Sequence, residues 1–228
     1  MTQSEAINIL KTGGNVFLTG EPGSGKTHTV NEYVRYLRSV GVETAITAST
    51  GIAATHIGGM TIHSWAGIGI KRYLSKYDLD RIATNERVVK RISKARVLII
   101  DEISMLGPET LDMVDAVCRV VRRSQEPFGR LSVLLVGDFF QLPPVVRRSE
   151  EGEDSDGARL IASARARFAY ESGAWARANF LTCYLSEQYR QDDKTFLDLL
   201  SVIRRNEFGP EHMTHIEARR VGDTRGLE

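Results

Sequence analysis

Cysteine is scarce in this chain: two among 228 residues, Cys118 and Cys183, each inside an apolar stretch. A disulfide framework is excluded as the basis of the fold, and both thiols are expected to be reduced core residues of a cytoplasmic protein. No apolar run approaches the roughly 20 residues that a membrane-crossing helix needs, so no membrane partner is expected. The first residues, Met1-Thr2-Gln3-Ser4-Glu5-Ala6, lack the basic and apolar regions of a secretion signal. Neither sign of charge prevails: 30 Lys and Arg against 29 Asp and Glu leave +1. The chain as a whole is therefore no basic nucleic-acid glue, and any nucleic-acid contact has to be a local patch. Internal repeats are absent, and so is an Asn-Lys-x-Asp guanine signature. The remaining balance, 42% hydrophobic and 26% charged, is that of an ordinary globular α/β chain.

Strand signals recur with helical stretches between them, at 15–19, 44–48, 97–100, 131–136 and 180–184. This alternation predicts a mostly parallel sheet with helices on both faces. Val97-Leu98-Ile99-Ile100 and Val133-Leu134-Leu135-Val136 are apolar without alternation, as central parallel strands are. Spacing predicts helices after residue 27, over 107–123 with Leu111, Val114, Val117, Cys118 and Val121 on one face, and over Thr195–Arg205.

Residues 20–27, Gly-Glu-Pro-Gly-Ser-Gly-Lys-Thr, fit G-x-x-x-x-G-K-[ST] and stand between the first strand and a helix. Strand, glycine turn and helix together form a triphosphate cradle: backbone N–H groups point inward and the helix adds the positive end of its dipole. Gly20, Pro22, Gly23, Ser24, Gly25, Lys26, Thr27 and His28 are the expected nucleotide contacts. Lys26 is assigned to the β- and γ-phosphates, and Thr27 to Mg²⁺. His28, His56, His212 and His215 have no cysteine or carboxylate at ligand spacing and are set aside as metal ligands.

The strand at 97–100 ends in Asp101-Glu102, two adjacent carboxylates of the kind found in ATP-hydrolysing motors. Asp101 is expected to hold Mg²⁺ through water, and Glu102 to polarise the attacking water. Gly137-Asp138-Phe139-Phe140-Gln141-Leu142-Pro143-Pro144 follows another strand, so Gln141 reaches the same sheet edge and is assigned to the γ-phosphate or the lytic water.

Residues 47–69, beginning Thr-Ala-Ser-Thr-Gly-Ile-Ala-Ala, strongly resemble the first DNA-contacting motifs of the PIF-one family of DNA helicases, relatives of RecD. Gly20–Thr27, Leu98–Leu106, Gly137–Val145 and Leu185–Asp192 agree with that family in the same order. The resemblance implies a RecA-like P-loop fold and an ATP-driven 5′-to-3′ DNA helicase using ATP and Mg²⁺. It implies that Gln3 reads adenine and that Arg190 reaches the γ-phosphate. Ser49, Thr50, Thr61, His63 and Ser64 fall in its single-stranded DNA path, where hydroxyls, imidazole and exposed N–H groups bind phosphates without net charge. Phe139 is assigned there as a stacking face, whereas Trp65 is read as core packing in preference to stacking.

By the same resemblance such enzymes pair two RecA-like domains, and the motifs of the second are absent. Residues 1–206 are expected to be the first, ATP-binding motor domain, with a charged surface loop at about 147–157. Residues 207–228 are expected to begin a linker or the next domain, in a chain truncated after Leu227-Glu228, which resembles a cloning remnant. The expected partners are single-stranded DNA and the second domain of a monomeric enzyme. An ATP-gated DNA-binding module without translocation is the alternative.

Overall fold

The computed structural model describes residues 1–144, 167–187, 194–218 and 220, in two compact units, Met1–Glu187 and Gln188–Glu228. The charged segment 147–157 and Arg190 lie outside the described residues.

The first unit is built on six strands: β1 (Val16–Gly20), β2 (Thr44–Ala48), β3 (Met60–Thr61), β4 (Val97–Asp101), β5 (Ser132–Val136) and β6 (Leu181–Leu185). Every pairing is parallel and the order is β3-β2-β4-β5-β1-β6. Five of these strands stand where apolar runs predict them. The two-residue β3 has no such run and went unpredicted.

Successive residues of each strand point to opposite faces, and two apolar layers result. Phe17, Leu98, Ile100, Val133 and Leu135 face one core, with α4 (Ile62–Ala66), α5 (Lys76–Ala83), α6 (Glu86–Lys94), α7 (Pro108–Arg122) and α8 (Gly173–Ala178). Val16, Leu18, Ile99, Leu134, Val136 and Cys183 face the other, with α1 (Gln3–Leu10) and α2 (Lys26–Ser39). The short α3 (Gly51–His56) follows β2. Cys118 and Cys183 are buried free thiols, and burial raises Cys118 out of any reactive range.

Local signals set the helix ends. Pro108 starts α7, where its missing N–H costs nothing. Thr2 and Glu5 close a capping box at α1: Glu5 N–H donates to Thr2 Oγ1 (3.2 Å) and Thr2 N–H to Glu5 Oε2 (2.8 Å). Asp115, fully buried on α7, binds the elements behind the sheet. Its Oδ1 accepts from Phe128 N–H (2.7 Å), and its Oδ2 meets Arg177 (2.9 Å) and Arg119 (3.2 Å).

The second unit contains α9 (Lys194–Arg204) and α10 (Pro210–Glu217). The former matches the predicted helix over Thr195–Arg205. The latter occupies a stretch whose polarity showed no clear period, and Pro210 marks its first turn. Among the described residues no helix is long and apolar enough to cross a membrane.

Because β4, β5 and β1 are neighbours, the three segments that leave their carboxyl ends meet at one edge. They carry Asp101-Glu102, Gly137–Gln141 and the glycine turn. A crevice of this kind, where strand order departs from chain order, is where open α/β sheets bind ligands.

Candidate functional site

β1 ends at Gly20 and α2 begins at Lys26. Gly25 takes φ +83° as the N-cap of α2, a left-handed conformation that costs a residue with a Cβ about 1–2 kcal/mol. At Gly20 the restriction is space: an added Cβ would stand 2.7 Å from the Leu185 carbonyl oxygen and 2.7 Å from Ser24 Oγ. No side chain caps α2, so its first N–H groups and its dipole are left for an anion. Lys26 Nζ donates to the carbonyls of Gly20 (2.8 Å) and Glu21 (3.1 Å), which folds the side chain over the turn. Ser24 Oγ is buried in the turn with no hydrogen-bond partner among the described residues. Gln3 Nε2 lies 3.5 Å from the Ser24 carbonyl. The first turn of α1 is thus beside the cradle, as an adenine contact requires. Pro22 and Gly23 complete the turn, and Thr27 is exposed at the start of α2. His28 is exposed too, and its Nε2 lies 4.0 Å from Glu32, along α2.

Asp101 closes β4, and its Oδ1 accepts from Glu102 N–H at 2.9 Å. Glu102 sits at φ +53°, ψ +46°, left-handed and strained for a residue other than glycine. Both carboxyls are held above the usual carboxylate range. Burial is the larger cause for each; Asp101 and Asp138 add repulsion at Glu102, and Lys26 opposes the rise at both. Three acids gathered around one lysine make a site that a divalent cation and a triphosphate would jointly neutralise. Thr27 and Asp101 are the hydroxyl and carboxylate available to Mg²⁺, which keeps few protein ligands beside phosphate oxygens and water.

The third segment turns around Asp138, which is buried. Phe140 N–H donates to its Oδ1 (3.1 Å), Gln141 Nε2 to its Oδ2 (3.3 Å) and Gln141 N–H to its carbonyl (2.9 Å). Asp138 therefore places Gln141, a role the sequence reading missed. Its signal was an acid immediately after an apolar strand.

The stretch expected to carry DNA lies at the carboxyl ends of β2 and β3 and is joined directly to the acidic pair: Ser49 N–H donates to the Asp101 carbonyl (3.1 Å). Ser49 Oγ is buried without a partner among the described residues. The Thr50 and Thr61 hydroxyls cap α3 and α4, accepting from Ala53 N–H and Ser64 N–H, both at 3.2 Å. Both are helix caps first, which explains their spacing without DNA. Ser64 is exposed and His63 half-buried, and burial lowers the His63 pKa, which favours the neutral imidazole. Trp65 is in the core at 3% exposure, as expected.

Phe139, assigned as a stacking face, stands in an aromatic cluster. Its ring is packed among Phe17, Phe168, Tyr170 and Trp175, with centroids 4.9–6.0 Å away. The ring is partly buried and packs against the core behind the sheet. The next ring, Phe140, is 71% exposed. The sequence reading also passed over Tyr73 and Tyr77, 78% and 74% exposed and interleaved with Lys71, Arg72 and Lys76 just past the DNA stretch. Alternating rings and cations are the signal of a single-strand platform.

The model of the PIF1-like helicase family matches residues 3–208. This chain belongs to the PIF1-like helicase family. It is 51% identical over 84% of its length to the ATP-dependent DNA helicase Pif1 of Psychrobacter, of which it covers 27%. It is 38% identical over 91% of its length to the ATP-dependent DNA helicase RRM3 of Saccharomyces cerevisiae, again covering 27%. The chain thus spans about a quarter of these curated relatives. Among solved structures it resembles a Pif1 helicase from Bacteroides in complex with ADP-AlF3 and single-stranded DNA, with 31% identity, TM-score 0.79, 99% of this chain and 51% of that one covered. Pif1 from Candida albicans gives 32% identity and TM-score 0.82, covering 99% of this chain and 49% of that one. The RecA-like P-loop fold of the PIF1-like motor is therefore the fold of this chain.

Proposed function

We propose that this chain is the first motor domain of an ATP-dependent 5′-to-3′ DNA helicase, binding ATP with Mg²⁺ and part of a single-stranded DNA path. The observation that carries the reading is the Ser49 N–H···O hydrogen bond to Asp101. It makes the proposed DNA stretch and the acidic pair of the nucleotide site direct backbone neighbours, so a shift in one displaces the other.

In this reading Gln3 contacts adenine, and the cradle N–H groups with Lys26 hold the phosphates. Thr27 and Asp101 hold the metal. Bound Mg²⁺ would neutralise charge that develops on the phosphate oxygens. Glu102 accepts the proton of the attacking water, a task suited to a carboxyl whose pKa burial has raised. Gln141, positioned by Asp138, orients that water. Arg190 reaches the γ-phosphate, and a second RecA-like domain supplies an arginine from across the cleft, an effect worth roughly 10³–10⁵ in rate. The single strand passes over the carboxyl ends of β2 and β3, with Ser49, Thr50, Thr61, His63 and Ser64 below it and Tyr73 and Tyr77 beside it. The known complexes of Bacteroides Pif1 with single-stranded DNA support the assignment of that partner.

Calorimetric titration of the chain with an ATP analogue and Mg²⁺, with and without an oligo-dT strand, tests the coupling. The strand should change nucleotide affinity, and the nucleotide should change strand affinity by the same factor. Independent binding of the two would contradict the reading.

A further inference from the structure

At the amino ends of β4 and β5, about 16 Å along the strands from the nucleotide edge, a cavity of about 700 Å³ opens between α6 and α7. Arg96, Arg122, Arg123 and Arg130 line it with the hydroxyl residues Ser93 and Ser124, and Glu126 is its one carboxylate. Arg122 is occupied within the fold: Nε donates to the Gly129 carbonyl (2.6 Å), and Nη1 to those of Ile92 (3.1 Å) and Ala95 (3.0 Å). Arg96, Arg123 and Arg130 are exposed and have no carboxylate partner among the described residues. Arg96 is close enough to Arg122 for repulsion to contribute, after burial, to lowering the Arg122 pKa.

The backbone beneath these side chains is strained. Arg123 has φ +51°, and Phe128, Gly129 and Arg130 take +49°, +61° and +65° in succession. Positive φ at a residue other than glycine costs of order 1–3 kcal/mol and persists where the surroundings impose it. The buried Asp115 holds the second of these turns by accepting the Phe128 N–H. In a chain whose net charge is +1, four guanidinium groups against the single carboxylate of Glu126 leave this basin with an excess of positive charge for an anion to complete.

We propose that this basin docks an acidic peptide segment of a partner protein, its carboxylates paired with Arg96, Arg123 and Arg130. Planar guanidinium forks match carboxylates two bonds at a time. A concavity of this volume holds a few residues of extended chain. No aromatic side chain lines it, so it lacks the stacking faces on which single strands depend.

The test is fluorescence anisotropy of the 228-residue chain with a labelled Asp/Glu hexapeptide, a matched Asn/Gln hexapeptide and a labelled oligo-dT. The acidic peptide should bind, weaken with salt and resist competition by oligo-dT. The triple variant R96Q/R123N/R130N, whose asparagines tolerate the left-handed backbone, should weaken it about tenfold, as three exposed ion pairs would. R96E alone leaves the strained turn untouched and should also weaken it. Both variants should bind an ATP analogue as the parent does, which shows that the fold is intact. Equal binding of the neutral peptide, affinity unchanged in folded variants, or displacement by oligo-dT at equal affinity would overturn the proposal, the last by making the basin a nucleic-acid site.

Discussion

Replacing Lys26 with Ala separates the two things this lysine does. In the free protein its ammonium donates to two carbonyls of the turn, at 2.8 and 3.1 Å. The group is partly exposed, so each bond contributes about 0.5–1.5 kcal/mol and the variant should lose about 1–2 kcal/mol of stability. For a unit of this size that is a fall in Tm of roughly 2–8 °C. The turn itself is set by backbone conformation and by the packing of Gly20 on Leu185, so melting should remain cooperative. Nucleotide affinity should suffer far more. A charge-assisted contact to the phosphates is worth about 1.5–3 kcal/mol. Loss of Lys26 also removes the cation that holds down the Asp101 and Glu102 pKa values, leaving three acids facing an anionic ligand. A loss of at least about 100-fold is expected, near 2.8 kcal/mol. Thermal melting and titration with a fluorescent ATP analogue read the two effects separately. If Lys26→Ala bound nucleotide within threefold of the parent, the phosphate assignment would be wrong. If it lost cooperative melting, the lysine would be structural.

Glu102→Gln probes the cost of the buried acid. A folded pKa above the unfolded value makes stability fall as pH rises between the two, and the cost is complete above the folded value. The variant should therefore melt higher than the parent at pH 8 and at nearly the same temperature below pH 4, while hydrolysis is lost; a lower Tm at pH 8 refutes that electrostatic account. Asp115→Ala removes the partner of Arg119 and of the Phe128 N–H and leaves Arg177 with Asp112 alone, and should cost about 1–3 kcal/mol by urea unfolding; under about 0.5 kcal/mol, the low end for one hydrogen bond, would show the network to be dispensable. Tyr73→Ala and Tyr77→Ala should each weaken single-stranded DNA binding by about 1–3 kcal/mol with melting unchanged, because both rings are exposed; unaltered DNA affinity removes them from the path.

The gathering of the glycine turn and the acidic pair at one sheet edge was legible because those residues are dictated locally. Gly20–Thr27 needs glycines where the chain turns left-handed or has no space, and Asp101-Glu102 ends an apolar run. Strand positions were legible for the same reason, since Val97–Ile100 and Val133–Val136 are buried on both faces. The strand order was not, because pairing β4 with β5 and β5 with β1 is a property of the whole chain. Residues 49–66 were legible only as a resemblance. Their small and polar residues show no period, so α3, α4 and β3 were invisible, and Thr50 and Thr61 proved to be caps whose hydroxyls are already engaged. Phe139 and Phe140 are adjacent rings, and which one turns inward depends on the aromatic cluster of Phe17, Phe168 and Trp175, all of which come from distant sequence. Asp138 was passed over because its work, holding Gln141, requires a turn that no pattern specifies.

The central claim is that this unit is one half of a DNA-driven motor. Its most direct test is the steady-state rate of ATP hydrolysis with and without oligo-dT, for this chain and for a version extended by a second RecA-like domain. The account predicts slow hydrolysis by the chain alone with little response to DNA, and strong stimulation of the extended version. Turnover of the extended version that is indifferent to DNA, or DNA unwinding by the 228 residues alone, would contradict it.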